Sequence, residues 1–177
     1  MTQGILLKNR LWLSAFIFLI PALLFSQTKS NVMSKAVKDS STSITIHQDV
    51  DFKISPHKLY QALLSSKEFS ASTKRSFDAF SEKSAAIDSV IGGSFSLFDG
   101  HIVGRILELV PDHRIVEAWR VVDWDAGKYS IVKFELTSQG SGTHLSFDHI
   151  GFPEGLKEHL ATGWQQHYWD ALNSYFR

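Results

Sequence analysis

Glu117 and His149 are the residues of this chain whose type and setting could do acid–base or ligand-orienting chemistry. Each falls in a segment that alternates apolar and polar residues, and each shares its face with apolar side chains: Ile115, Trp119 and Val121 beside Glu117, Leu145 and Phe147 beside His149. A carboxyl group in such company must be paired, hydrogen-bonded or neutralised. His149 could partner it across a sheet, or a bound ligand could. A register slip of one residue would instead turn Glu117 into water, so the hairpins around these residues decide what they can do.

Other chemistries fit the residue spacings poorly. There are 8 histidines, but His159 and His167 lie eight apart and no H-E-x-x-H pattern occurs. Asp148 and His149 alternate faces in a strand and cannot chelate together. No serine stands in a G-x-S-x-G turn. The absence of cysteine excludes a disulfide framework, a thiol nucleophile and a zinc–thiolate site. Gly92-Gly93 is not followed by a helix, so it is no phosphate loop and reads as a bulge or close backbone approach. A formal net charge of zero gives no nucleic-acid footprint. We therefore expect no metal, no cofactor and no catalytic residue.

The elements that must position these groups follow from turn chemistry. Asp99-Gly100 signals a hairpin that pairs Leu97 with Ile102 and Phe95 with Gly104. Phe95, Leu97, Ile102 and Ile106 then share an inner face. A four-residue loop, Val110 to His113, carries that face to Ile115, Glu117, Trp119 and Val121. A four-residue loop at Gln139–Gly142 pairs Leu136 with Leu145, Phe134 with Phe147 and Val132 with His149. Upstream, Ser43–Phe52 alternates as a half-buried strand, with His47 on its polar face. Ser55-Pro56 supplies an N-cap and a first-turn proline for a helix, and a second short helix is expected at Lys67–Ala71. Thr73–Lys83 is irregular, with Phe77 and Phe80 as apolar anchors, and Ser84–Val90 is expected as a strand. After Pro153 a long helix, about Glu154 to Phe176, presents Leu156, Leu160, Trp164, His167, Tyr168, Ala171, Leu172 and Tyr175 on one wide face. Gly163 inside it suggests close approach to the sheet, since glycine there costs about 1 kcal/mol against alanine.

The N-terminus has a different character. Lys8 and Arg10 precede the apolar run Leu11–Phe25, which ends at Ser26. A basic start, a short apolar run and a small residue describe a secretory signal peptide. The run is shorter than the ~20 residues of a membrane-spanning helix, although an uncleaved anchor is the alternative. We expect residues 1–26 to be a signal peptide, 27–42 a Ser/Thr/Lys-rich tether and 43–177 one folded domain. Export to the periplasm or the extracellular space follows, with membrane attachment only through an uncleaved N-terminal segment.

The run GGSFSLFDG at 92–100, then Gly104-x-x-x-Glu108-Leu109-Val110-Pro111-x-x-Arg114-Ile115-Val116, Trp119-Arg120 and Asp123-Trp124, resembles the C-terminal domain of the activator of the 90-kDa heat-shock protein ATPase. The likeness continues through KYSIVKFELT, GTHLSF and GWQQHYWDALNSYF and spans roughly Ile44 to Phe176. It implies the SRPBCC, or START-like, superfamily and an α+β helix-grip fold. That is a curved antiparallel sheet wrapped around a long C-terminal helix, with two short helices after the first strand. Such folds host many activities. The inner surface suggests an exported, noncatalytic module with a cavity for a small apolar or aromatic molecule, lined by Glu117, Trp119, Phe134, Phe147, His149, Leu160, Trp164 and Tyr168. Glu117, Trp119, His149 and Trp164 are expected to converge on that cavity. The plain alternative is that these aromatics only fill the core. The resemblance itself implies a chaperone partner, which the export signal disfavours because that chaperone is intracellular. A third reading is a cyclase- or hydratase-like enzyme with Glu117 or His149 as acid or base.

Overall fold

A computed structural model describes residues 45–74 and 84–177. The expected signal peptide, the tether and the anchors Phe77 and Phe80 lie outside the described residues.

Alternating burial makes the first strand, β1 (Thr45–Phe52), half-buried, with Ile46 and Phe52 turned inward. Two short helices follow, α1 (Pro56–Leu64) and α2 (Ser66–Thr73). The Ser55 hydroxyl accepts from the Lys58 N–H and Ser65 caps α2 in the same way, which satisfies donors that a helix start leaves open. The chain then forms β2 (Ala86–Ile87), β3 (Ser94–Leu97), β4 (Ile102–Val110), β5 (Arg114–Val121), β6 (Ser130–Gln139) and β7 (Gly142–Ile150). These build one seven-stranded antiparallel sheet in the order β1-β7-β6-β5-β4-β3-β2. The expected strand at Ser84–Val90 shrinks to two residues, because Val90 and Gly93 close tight turns on Asp88 and Val90, and Gly92 and Gly93 bond to Ile106 of β4 instead of extending the ladder from β2.

The hairpins keep the expected registers by different turns. Leu97 pairs with Ile102 and Phe95 with Gly104. Phe98, Asp99 and Gly100 all have positive φ (51°, 58° and 84°), and this turns the Phe98 side chain inward against Phe69 and Tyr168. Between β4 and β5 the loop is one residue shorter than expected, since Val110 pairs with Arg114. A bulge between Ile106 and Glu108 restores the offset by leaving Leu107 unpaired and exposed. Ile106 therefore faces Glu117, and the Ile115, Glu117, Trp119 set points inward. Gln139 pairs with Gly142, tightening the last turn, while Leu136–Leu145, Phe134–Phe147 and Val132–His149 pair as expected.

The C-terminal helix comprises α3 (Lys157–Trp164), a π-helical turn (Gln165–Trp169) and α4 (Asp170–Tyr175). The wider turn brings two adjacent side chains, Tyr168 and Trp169, into the core together. A uniform 3.6-residue period does not predict Trp169 as buried. Gln48 of β1 holds this helix with both ends of its side-chain amide: its Nε2 donates to the Ala161 carbonyl at 3.0 Å and its Oε1 accepts from the Trp169 indole N–H at 2.7 Å. Phe147, Trp164 and Trp169 interlock at the centre, with ring centroids 4.4 to 5.6 Å apart.

Candidate functional site

The helix and the β3–β4 end of the sheet do not close completely. A cleft of about 240 Å³ opens between them. Phe98, Ile102, Trp119 and Val121 supply its sheet side, and Leu160, Gly163, Trp164 and Tyr168 its helix side. Three of them arrive there through local features already described: Phe98 through the positive-φ turn, Trp119 through the bulged register, Tyr168 through the π turn. The rim is polar, with His101, His159, Thr162, Gln166 and His167. Gly163 borders this open space. A Cβ there would meet only the His167 ring, at 4.0 Å. The expectation that Gly163 marks close approach to the sheet is therefore corrected; it stands on the cleft side of the helix.

Behind the cleft lies a second, much smaller cavity of about 10 Å³, room for roughly one water-sized group. Glu117, Phe134 and Tyr168 line it, together with apolar side chains of α1, α2, β2 and β3. Tyr168 borders both spaces. Burial alone pushes the Glu117 carboxyl up to about 8, with no hydrogen bond or charge offsetting it. Burial likewise drives the Tyr168 hydroxyl upward, and the nearby Glu117 adds to the rise. The Trp119 indole is near enough to the Tyr168 hydroxyl to favour its ionised form, yet neither atom completes a hydrogen bond.

His149 belongs to a different arrangement. It is fully buried, and its Nδ1 accepts from the Trp164 indole N–H at 3.0 Å. Its Nε2 lies 2.7 Å from the Ser130 hydroxyl, which itself donates to the Trp119 carbonyl at 2.9 Å. Ser130 spends its one proton on that carbonyl, so His149 must donate to it from Nε2–H. Both ring nitrogens are thereby satisfied in the neutral tautomer, and burial lowers the imidazole to about 3. The Glu117–His149 pair, one of two ways in which the carboxyl could be satisfied, does not form. Val132 stands between them in the ladder, which places them two strands, or roughly 10 Å, apart.

The eight expected site residues thus divide. Trp119, Leu160, Trp164 and Tyr168 border the cleft, and Glu117 and Phe134 border the small cavity with Tyr168. His149 and Phe147 border neither and are packed in the centre of the core. The expected convergence of Glu117, Trp119, His149 and Trp164 on one space is corrected accordingly. Phe98, Ile102, Val121 and Gly163 join the cleft. Phe98 carries no sequence signal for this, because an inward turn at positive φ is unusual for a bulky side chain. Among the described residues no group of His, Asp and Glu is arranged to hold a metal ion.

A family model described as "Activator of Hsp90 ATPase homolog 1-like protein" matches residues 53–177. The chain is 27% identical over 149 residues to activator of 90 kDa heat shock protein ATPase homolog 1 of Mus musculus, covering 84% of this chain and 41% of that protein. The Homo sapiens counterpart is 26% identical over the same length. The chain therefore spans less than half the length of these relatives. Among solved structures, an HSP90 activator from Plasmodium falciparum superimposes with a TM-score of 0.63 at 28% identity, covering 70% of this chain and 89% of that one. Protein CV1439 from Chromobacterium violaceum gives a TM-score of 0.60 at 25% identity, covering 75% and 96% respectively.

Proposed function

The chain belongs to the activator of Hsp90 ATPase homolog 1-like family, and from that premise we propose that it is a noncatalytic binding module that seats a small apolar or aromatic molecule in the cleft beside its C-terminal helix. The observation that carries this reading is the pairing of an aromatic floor, Phe98, Trp119, Trp164 and Tyr168, with a polar histidine rim around about 240 Å³. The volume lies just below the ~300–1,000 Å³ of drug-sized sites, which suits a one- or two-ring ligand. His149, the stronger acid–base candidate by type, is locked neutral by Trp164 and Ser130, and this argues against catalysis through it.

The test is a calorimetric titration with p-xylene, a probe of one ring. Saturable binding is expected, and Gly163→Leu, which directs a side chain into the cleft, should abolish it while leaving the fold intact. Absence of saturable binding by the unaltered protein would overturn the reading. A second reading, a chaperone-ATPase partner, is favoured by the relatives described as activators. It requires that the purified domain raise the ATPase rate of a 90-kDa heat-shock protein, and under the cleft-binding reading no stimulation is expected.

A further inference from the structure

We propose that the Glu117 carboxyl, the Trp119 indole N–H and the Tyr168 hydroxyl form a polar end-site at the back of the cleft, which recognises a single hydroxyl or carbonyl oxygen on an otherwise apolar, uncharged ligand. This deepens the cleft-binding reading and rests on it.

Two polar atoms left without partners beside a buried carboxyl in one apolar interior are costly. A buried donor or acceptor without a partner forfeits the hydrogen bonds it made to water, and native interiors hold few such groups. Here all three side chains are more than nine-tenths buried, with exposures of 8% for Glu117, 3% for Trp119 and 5% for Tyr168. The Trp119 and Tyr168 atoms have no hydrogen-bond partner. They are also neighbours. Glu117 and Trp119 are two apart on the inner face of β5, Glu117 and Tyr168 share the small cavity, and Trp119 and Tyr168 both border the cleft. A ligand lying in the cleft therefore meets Trp119 and Tyr168 directly, and Glu117 where an atom of the ligand passes Tyr168 into the small cavity.

Their chemistry specifies the ligand. The indole offers only a donor, while the hydroxyl and the protonated carboxyl can each donate or accept. A hydroxyl or carbonyl oxygen accepts from Trp119 and Tyr168, and a hydroxyl also donates to Glu117. The inner cavity admits about one such atom. No lysine or arginine lines either space, so a ligand carboxylate would be buried without a counter-charge. An ammonium group would have to ionise Glu117, and of its remaining N–H groups only one would find an acceptor, the Tyr168 oxygen, so the desolvation of the pair is poorly offset.

The experiment compares p-cresol with p-xylene, which differ by hydroxyl for methyl, in the unaltered protein and in Tyr168→Phe and Glu117→Leu. Calorimetry gives the ratio of the two dissociation constants, which cancels the ring's own hydrophobicity. We expect each variant to shift that ratio about tenfold toward p-xylene, the size of one lost hydrogen bond to a buried partner. Glu117→Leu replaces a carboxyl by an apolar group of similar size, so it decides the matter if Tyr168→Phe does not fold. Binding of p-xylene with a ratio unchanged in the variants would overturn the end-site and leave the cleft-binding reading standing. Failure of both probes to bind would overturn both. Tighter binding of 4-methylbenzylamine than of p-cresol would overturn the assignment to an uncharged ligand.

Discussion

A carboxyl held among apolar side chains ties folding to proton uptake. Glu117 rises from 4.5 to about 8 on burial, so across that window the native chain keeps a proton that the unfolded chain gives up. With more protons bound in the native state, stability must fall as pH rises from about 4.5 to about 8, and level off above it. The slope for one full proton is about 1.4 kcal/mol per pH unit. His47, held up by its hydrogen bond to Asp148, and His144, held up by Asp51, lose their own stabilisation as pH rises through their raised values, in the same direction. The contribution of Glu117 is therefore the difference between the unaltered protein and Glu117→Gln. Urea unfolding at pH 5, 6, 7 and 8 should show the variant gaining on the unaltered protein steadily with pH. Parallel curves would mean that Glu117 is hydrated in the native state. His149 shows the opposite outcome for a buried polar residue, with both nitrogens bonded and no reason to take up a proton.

Two glycines show how the elements set the site. Gly104 in β4 lies under the Phe95 ring, where an added Cβ would stand 2.2 Å from the ring and 2.1 Å from the Ala118 carbonyl. Neither the β5 backbone nor a ring packed into the core can yield that much, so Gly104→Ala should destabilise by at least the ~1–3 kcal/mol typical of overpacking. Gly163 in α3 faces open space and has an ordinary helical backbone. Gly163→Ala should stabilise by up to about 1 kcal/mol through helix propensity. Denaturation midpoints of the two variants should move in opposite directions; a loss at Gly163 would show that the helix sits closer to its surroundings than the cleft geometry has it. The bulge at Leu107 and the π turn at Gln165–Trp169 act at the same scale. Each inserts one residue, and each turns a polar or aromatic group toward the interior that a regular element would point elsewhere.

At the scale of the whole molecule, one sheet and one helix share an aromatic core that is tight at its centre and open at one end. Phe147, Trp164, Trp169 and His149 are themselves almost wholly buried, whereas toward the β3–β4 turn the packing gives way to the cleft. That gradient separates the packed centre, which carries stability, from the cleft in which we propose that a ligand sits. Where the protein works is a separate matter, and we propose export. The support is the sequence Lys8, Arg10, Leu11–Phe25, Ser26. N-terminal sequencing of protein from the native host should find a chain beginning near Gln27. A chain retaining Met1 or Thr2 would refute cleavage.

The alternation of β3 to β7 and the Asp99-Gly100 turn by themselves determined the antiparallel order and which residues face inward, because a strand's two faces are fixed by a period of two. The register survived wrong turn lengths at Pro111 and at Gln139 for the same reason: an inner face rich in Phe, Ile and Leu accepts no slip of one residue. The run of family motifs likewise fixed the helix-grip fold, which the solved relatives share. Tertiary structure alone decided how the inward polar groups are used. Glu117 and His149 lie on the same face, but sequence periodicity carries no information about the distance between strands or about what crosses over them. The helix that covers them gives the Trp164 indole to His149 and sets the Tyr168 hydroxyl toward Glu117. Its π turn, and the positive-φ turn that seats Phe98 against Tyr168, arise from packing between elements distant in sequence, which no local pattern records.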